Sequence, residues 1–167
     1  RSEDCWATLS ALRALGVEVA EAADGTVRVR GRGPEGLCEP EPVLDAGNSG
    51  TTLRLLAGLV AGRPFCSLLT GDASLRRRPM RRVVDPLRAM GATVLGRAGG
   101  EFPPLAIHGG GLRGIAWTSP IASAQVKSAI VLAGIQAAGE TSISEPILSR
   151  DHTERMLTAF GLAPRRD

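Results

Sequence analysis

Three short stretches set small hydroxyl or amide residues beside helix-forming sequence: Gly47-Asn-Ser-Gly-Thr-Thr52, Ser123-Ala-Gln-Val-Lys127 and Ser149-Arg-Asp-His-Thr153. The first N–H groups of a helix have no acceptor within it, and the helix dipole makes that end positive, so such junctions suit anions. Each has a basic residue close by, Arg54, Lys127 and Arg150 respectively. A fourth stretch, Arg76-Arg-Arg-Pro-Met-Arg-Arg82 with Arg88 beyond, supplies guanidinium forks that pair bidentately with phosphate or carboxylate. The chemistry on offer is the holding of multiply charged anions. No nucleophile–base constellation accompanies it. His108 falls in a strand-to-glycine turn and His152 in the first turn of a helix. No Walker loop, dinucleotide fingerprint or metal-ligand cluster is present. Each junction alone also fits ordinary capping by Asn, Ser or Asp, and the arginine run also fits a solvated basic face.

These residues need elements to carry them. Leu9-Ser-Ala-Leu-Arg-Ala-Leu-Gly16, Val84-Asp-Pro-Leu-Arg-Ala-Met-Gly91 and Met156-Leu-Thr-Ala-Phe-Gly161 each run as amphipathic helix and stop at a glycine suited to a left-handed cap. After the first two, alternating apolar residues predict strand hairpins. A second echo relates Leu56-Ala-Gly-Leu-Val-Ala-Gly62 to Leu132-Ala-Gly-Ile-Gln-Ala-Ala-Gly139. The repeat spacing, roughly 70–76 residues, is too long for a solenoid unit and suits a βαβαββ module. Helices are expected at 4–15, 50–61, from Pro79 onward, 123–138 and 152–160. Strands are expected at 17–20, 26–30, 65–70, 92–95, 104–108, 113–117 and 140–144. Asp4 is the expected N-cap of the first helix, with Leu9, Leu12 and Leu15 on one face. Pro86 is expected to kink or restart its helix. Asp151 and Glu154 have capping-box spacing. Residues 129–139 are apolar almost all round, which predicts a helix buried on every side, with small residues allowing close helix approach. The fold class is α/β (α+β), with helices inside and sheets outside.

Composition narrows the function classes. The chain has 167 residues, 43% hydrophobic and 22% charged, enough for a core of its own. No apolar run is long enough for a membrane span and no signal-type stretch opens the sequence, so no membrane role and a cytoplasmic location are expected. Net charge is +3, aromatics are 3% with no Tyr, and Asp72 and Asp85 flank the arginine run. Nucleic acid is therefore not an expected partner. Cys5, Cys38 and Cys66 are widely spaced and odd in number, which favours reduced thiols over disulfides or zinc.

Gly47-Asn-Ser-Gly-Thr-Thr-Leu-Arg54 resembles the glycine loop of the 5-enolpyruvylshikimate-3-phosphate synthase family. Gly71-Asp-Ala-Ser-Leu-Arg-Arg-Arg-Pro-Met80 resembles its arginine-proline loop, and Ser123-Ala-Gln-Val-Lys-Ser-Ala129 its shikimate-phosphate loop. Glu145-Pro-Ile-Leu-Ser-Arg-Asp-His-Thr-Glu-Arg-Met156 completes the set in order. The likeness spans nearly the whole chain. It implies transfer of the enolpyruvyl group of phosphoenolpyruvate to the 5-hydroxyl of shikimate 3-phosphate, in the shikimate pathway of aromatic amino-acid biosynthesis. No metal and no organic cofactor are implied.

By this resemblance Asn48, Gly50, Arg78 and Gln125 line the phosphoenolpyruvate site, with Arg78 and Gln125 the catalytic pair. Ser123, Ala124, Gln125, Ser149 and Arg150 hold shikimate 3-phosphate; Arg54 and Ser149 are the weaker transfers. The resemblance also implies a partial N-terminal domain: 1–42 ending a first unit, 43–110 a second, and 111–167 a third cut short. A second domain in cis or in trans would complete the cleft, and the isolated chain would be inactive. Two other readings stand beside this one. The first is a non-catalytic anion-binding domain. The second is UDP-N-acetylglucosamine enolpyruvyl transferase, which shares the fold; Ser-Ala-Gln-Val-Lys and Arg-Asp-His-Thr favour shikimate phosphate over it.

Overall fold

The computed structural model describes residues 2–162 and 164–165. Helix α1 (Glu3–Ala14) leads into the antiparallel hairpin β1 (Glu18–Glu21) and β2 (Val27–Arg30). Then come β3 (Leu44–Asp45), α2 (Gly50–Ala61), β4 (Cys66–Thr70), α3 (Arg81–Ala89) and β5 (Thr93–Gly96). A distorted single turn, α4 (Arg97–Gly100), joins β5 to β6 (Phe102–His108). The chain continues through β7 (Ala116–Thr118), α5 (Ala124–Gly134), β8 (Ser142–Ser144) and α6 (His152–Ala159). Strands β3 to β6 form one sheet in the order β3-β4-β6-β5, with β3 parallel to β4 and the other pairs antiparallel. That is a βαβαββ circuit. Strands β7 and β8 pair in parallel around α5.

The three expected glycine stops are one recurring structure. The N–H of Gly16 reaches the Arg13 carbonyl and that of Val17 the Leu12 carbonyl. Gly91 and Ala92 make the same pair of bonds to Arg88 and Leu87, and Gly161 and Leu162 to Thr158 and Leu157. This is the double C-terminal bond of a Schellman motif, whose C′ residue needs positive φ. The three glycines have φ of 84°, 111° and 86°.

The core lies between the helices and the inner face of the sheet. Along β4, Ser67 and Leu69 are buried while Cys66 and Leu68 face out, the period-two pattern of a sheet covered on one side. Leu53, Leu56, Ala57 and Val60 of α2 meet Val126, Ala129, Ile130 and Ala133 of α5 in the same apolar cluster. The two helices approach closely enough that a Cβ on Gly58 would stand 2.1 Å from the Ala129 carbonyl oxygen. Small residues permit this approach, as their repetition in the sequence implied.

Several local expectations are corrected. The N-cap of α1 is Ser2, not Asp4, which sits inside the first turn beside Glu3, where both complement the helix dipole. The buried line of that helix runs through Ala11 and Leu15, with Leu9 and Leu12 half-buried. Helix α3 begins at Arg81 after Met80, so Pro79 stays outside it, and it runs unbroken through buried Pro86. The proline's missing N–H deprives only the Arg82 carbonyl in the exposed first turn. Helix α5 ends at Gly134 rather than 138, and Val131 and Leu132 are only half-buried with Ile135 half exposed, so it is not enclosed on every side. Asp151 occupies the N-cap of α6 without a side-chain cap bond, and Glu154 turns instead to Lys127, whose charge is the stronger partner. The two-residue strand β3 was not anticipated. The three cysteines are free and exposed.

Candidate functional site

The glycine loop between β3 and α2 is folded by its own polar groups. Asp45 accepts the Gly47 N–H through Oδ1 at 2.8 Å, and Gly47 in turn accepts the Asp72 N–H at 2.8 Å. Ser49 caps α2, its Oγ accepting the Thr52 N–H at 3.2 Å and the Thr52 hydroxyl at 2.9 Å. Thr8 of α1 shares a 2.7 Å hydrogen bond with the Thr52 hydroxyl, tying the first helix to this cap. The loop thus delivers Asn48 and Gly50 to the positive end of α2 in a fixed arrangement.

The arginine loop closes over that end. Arg78 donates from Nη2 to Asn48 Oδ1 at 2.6 Å, and Asn48 Nδ2 donates to Asp72 Oδ2 at 2.6 Å. Arg54, one turn into α2, donates from Nη1 to Gln125 Oε1 at 2.7 Å and to the Gly50 carbonyl at 3.3 Å. Gln125 donates from Nε2 to Thr51 Oγ1 at 2.7 Å. Gly50 lies between the two guanidinium groups; a Cβ there would stand 2.8 Å from Arg54 Nη1 and 3.2 Å from Arg78 Nη1. Arg78, Asn48, Gly50 and Gln125, drawn from loops and helices up to 77 positions apart, therefore share one patch.

That patch is electrostatically crowded. Burial, then Arg82, then Arg78 push the Arg54 pKa below its ordinary value. Arg54 remains charged at any working pH, so the repulsion is held in the fold and an anion would relieve it. Asp72 is held below the usual carboxylate range, first by the bond from Asn48, then by the Leu75 N–H.

A second cluster adjoins the first turn of α5. Ser123 caps the helix, its Oγ accepting the Val126 N–H at 3.5 Å. Its own N–H goes to Glu145 Oε1 at 2.9 Å, and Ser149 donates to Glu145 Oε2 at 2.7 Å. Lys127 Nζ lies 2.7 Å from Glu154 and 3.5 Å from Glu145, with all three side chains largely buried. Burial opposes ionisation of Glu145, yet Ser149, the Ser123 N–H and Lys127 together hold its carboxyl below the ordinary value.

Glu145 thus joins Ser123 to Ser149, and Gln125 and Ala124 join this cluster to the first through the same helical turn. Lys127, which the sequence placed beside an anion site, is committed to two carboxylates. Arg150 is the residue not drawn in: it is exposed and makes no hydrogen bond or ion pair among the described residues. Asp72, Thr51 and Glu145 were missed as site residues. Asp72 looked like charge balance for the arginine run, and only contacts across the fold distinguish the other two. A concavity of about 330 Å³ lined by Pro79, Arg82, Asp85, Trp117 and Pro120 lies beside the patch, and none of the expected site residues lines it. Among the described residues no group of three His, Cys, Asp or Glu could hold a metal ion, and no helix is long and apolar enough to cross a membrane.

Comparison with known proteins gives a consistent picture. A sequence model described as EPSP synthase (3-phosphoshikimate 1-carboxyvinyltransferase) matches residues 1–165. A 3-phosphoshikimate 1-carboxyvinyltransferase of Desulforudis audaxviator is 60% identical over 98% of this chain and 38% of its own length. One of Bacillus licheniformis is 55% identical over the same shares. The structure of EPSP synthase from Acinetobacter baumannii superposes over 100% of this chain and 38% of that one, with a TM-score of 0.95 at 49% identity. The chain spans about 38% of the length of these relatives.

Proposed function

Since the chain belongs to the EPSP synthase family, we propose that it forms one wall of a cleft in which the enolpyruvyl group of phosphoenolpyruvate passes to the 5-hydroxyl of shikimate 3-phosphate. We assign residues 43–110 to one βαβαββ unit of that wall, with 1–42 closing the unit before it and 111–167 opening the next. The observation that carries the reading is the convergence of Arg78 and Arg54 on Gly50 and Gln125. Two polyanionic substrates brought together need fixed positive charge and oriented donors where their charges lie.

In this reading Asn48, Gly50, Arg78 and Gln125 receive phosphoenolpyruvate. Gly50 leaves room for an anion to approach the two guanidinium groups, which any side chain would fill. Ser123, Ala124, Ser149 and Arg150 face shikimate 3-phosphate, with Gln125 at the boundary between the substrates. The hydroxyl oxygen attacks C2 of phosphoenolpyruvate as C3 gains a proton. The hydroxyl proton is given up in this addition. The tetrahedral adduct then expels phosphate from C2 as C3 gives up a proton, which forms the C2–C3 double bond of the enol ether product. Arg78 clamps the charge during this sequence and Gln125 orients the two substrates. The acids and bases that move the protons belong to the remainder of the cleft, supplied in cis or in trans. We place the reaction in the cytoplasm, with no metal and no nucleic-acid partner.

The test is substrate binding to the chain followed by reconstitution. Shikimate 3-phosphate is expected to bind weakly to the 167-residue chain without turnover. Phosphate release is expected once a polypeptide covering the remainder of a relative is added, and Arg78→Ala is expected to abolish it. Turnover by the chain alone, or binding of both substrates unaltered by Arg78→Ala, would overturn the reading.

A further inference from the structure

The Asp72 carboxylate lies at the surface, yet each of its oxygens has a distinct task. Oδ2 accepts from Asn48 Nδ2 at 2.6 Å, and Oδ1 accepts the Leu75 N–H at 2.7 Å. The Asp72 N–H is itself bonded to the Gly47 carbonyl at 2.8 Å. One residue thus joins the glycine loop, which bears Asn48, to the turn Leu75–Arg77, which bears Arg78 at its end.

An asparagine amide has a donor end and an acceptor end of nearly equal shape. If Asn48 turned over, its NH2 group would face the Arg78 guanidinium, donor against donor. An ionised carboxylate only accepts, so it selects the orientation in which Nδ2 points to itself and Oδ1 to Arg78. We propose that Asp72 is a positioning residue for Arg78: it fixes the Asn48 amide and the arginine-loop turn together, and thereby sets where the guanidinium waits for an anionic substrate. This rests on the reading that Arg78 receives phosphoenolpyruvate. A carboxylate is required for the double task, because the isosteric Asn offers one acceptor oxygen and must release either Asn48 or Leu75.

The experiment uses the isotopically labelled 167-residue chain, wild type and Asp72→Ala, Asp72→Asn, Arg78→Ala and Asp85→Asn. Asp85→Asn removes an equal charge from the neighbouring helix without touching the relay. NMR follows the Asn48 side-chain amide, the Leu75 N–H and the Arg78 Nε–H without ligand, then during titration with phosphoenolpyruvate and separately with shikimate 3-phosphate. In Asp72→Ala the Asn48 and Arg78 signals should move to freely exchanging positions. Phosphoenolpyruvate affinity should fall about tenfold, equivalent to about 1.4 kcal/mol, while shikimate 3-phosphate binding and the melting temperature hold. Asp72→Asn should keep one of the Asn48 and Leu75 signals and lose the other.

Wild-type phosphoenolpyruvate affinity in Asp72→Ala would overturn the proposal. So would parallel loss of both ligands and of thermal stability, which marks a merely structural role. A wild-type chain that binds no phosphoenolpyruvate is what a single wall of the cleft allows, and moves the affinity comparison to the chain reconstituted with the remainder of a relative. If Arg78→Ala binds phosphoenolpyruvate undiminished, the functional reading of Arg78 falls. The positioning claim is then decided by the ligand-free spectra, and unshifted Arg78 and Asn48 signals in Asp72→Ala would refute it.

Discussion

Replacing Gly58 by alanine tests whether the α2–α5 contact sets the site. The added methyl carbon would lie 2.1 Å from the Ala129 carbonyl oxygen and 2.8 Å from its carbonyl and α carbons. Carbon makes comfortable contacts near 3.5 Å, so the two helix backbones must separate by roughly 1 Å or more. Backbone atoms cannot rotate away as a side chain could. Alanine gains about 1 kcal/mol of helix propensity over glycine. Overpacking a well-filled core costs typically about 1–3 kcal/mol and more where backbone must move. The net expectation is a loss on the order of 2 kcal/mol, a drop of roughly 4–8 °C in Tm for a chain of this size. Separation of about 1 Å would also stretch the Arg54–Gln125 bond, now 2.7 Å, beyond hydrogen-bond range. Urea denaturation gives the first quantity, and the Gln125 side-chain amide signals in an NMR spectrum report the second. A variant as stable as wild type with those signals unmoved would refute the view that close backbone packing of these helices holds the two halves of the site together.

Other outcomes follow from the same contacts. Lys127→Met should cost about 3–5 kcal/mol at neutral pH, since it leaves Glu145 and Glu154 buried without their cation; urea titration should show part of that loss recovered at acid pH, where the carboxylates protonate. Glu145 titrates in the folded chain below its ordinary value of 4.5. Its contribution to stability is therefore complete above that value and is lost as pH falls through the lower folded one. Glu145→Gln should flatten this part of the pH–stability curve, as followed by denaturation between neutral pH and pH about 3. Ser49→Ala removes the α2 cap and a partner of the buried Thr52 hydroxyl, and should cost about 1–2 kcal/mol in urea melts.

Much of this protein is legible one element at a time. The three glycine-stopped helices end as their sequences imply, because a Schellman cap is decided within six residues and needs only one that tolerates positive φ. The period-two stretches fold as strands, and the four site motifs are visible as glycine, hydroxyl and arginine patterns at helix starts. Boundaries drifted at Asp4, Pro79 and Ala138; at the last, the backbone N–H and carbonyl are taken by Leu112 and Gly114 rather than by a continuing helix.

Which polar group answers which is settled at longer range. Lys127 carries the marks of an anion ligand, but the fold brings two carboxylates, 18 and 27 positions away, within 3.5 Å of its ammonium. Asp72 carries the marks of a counter-charge, but parallel pairing of β3 with β4 places it under Asn48 and gives it an orienting task. Arg150 lies in a matching motif and remains apart. Composition and periodicity fix which face of an element is buried, because burial depends on the residue's own surface. The direction of a charged side chain depends on the difference in free energy between competing partners, and those partners meet only when the helices and the sheet close around them.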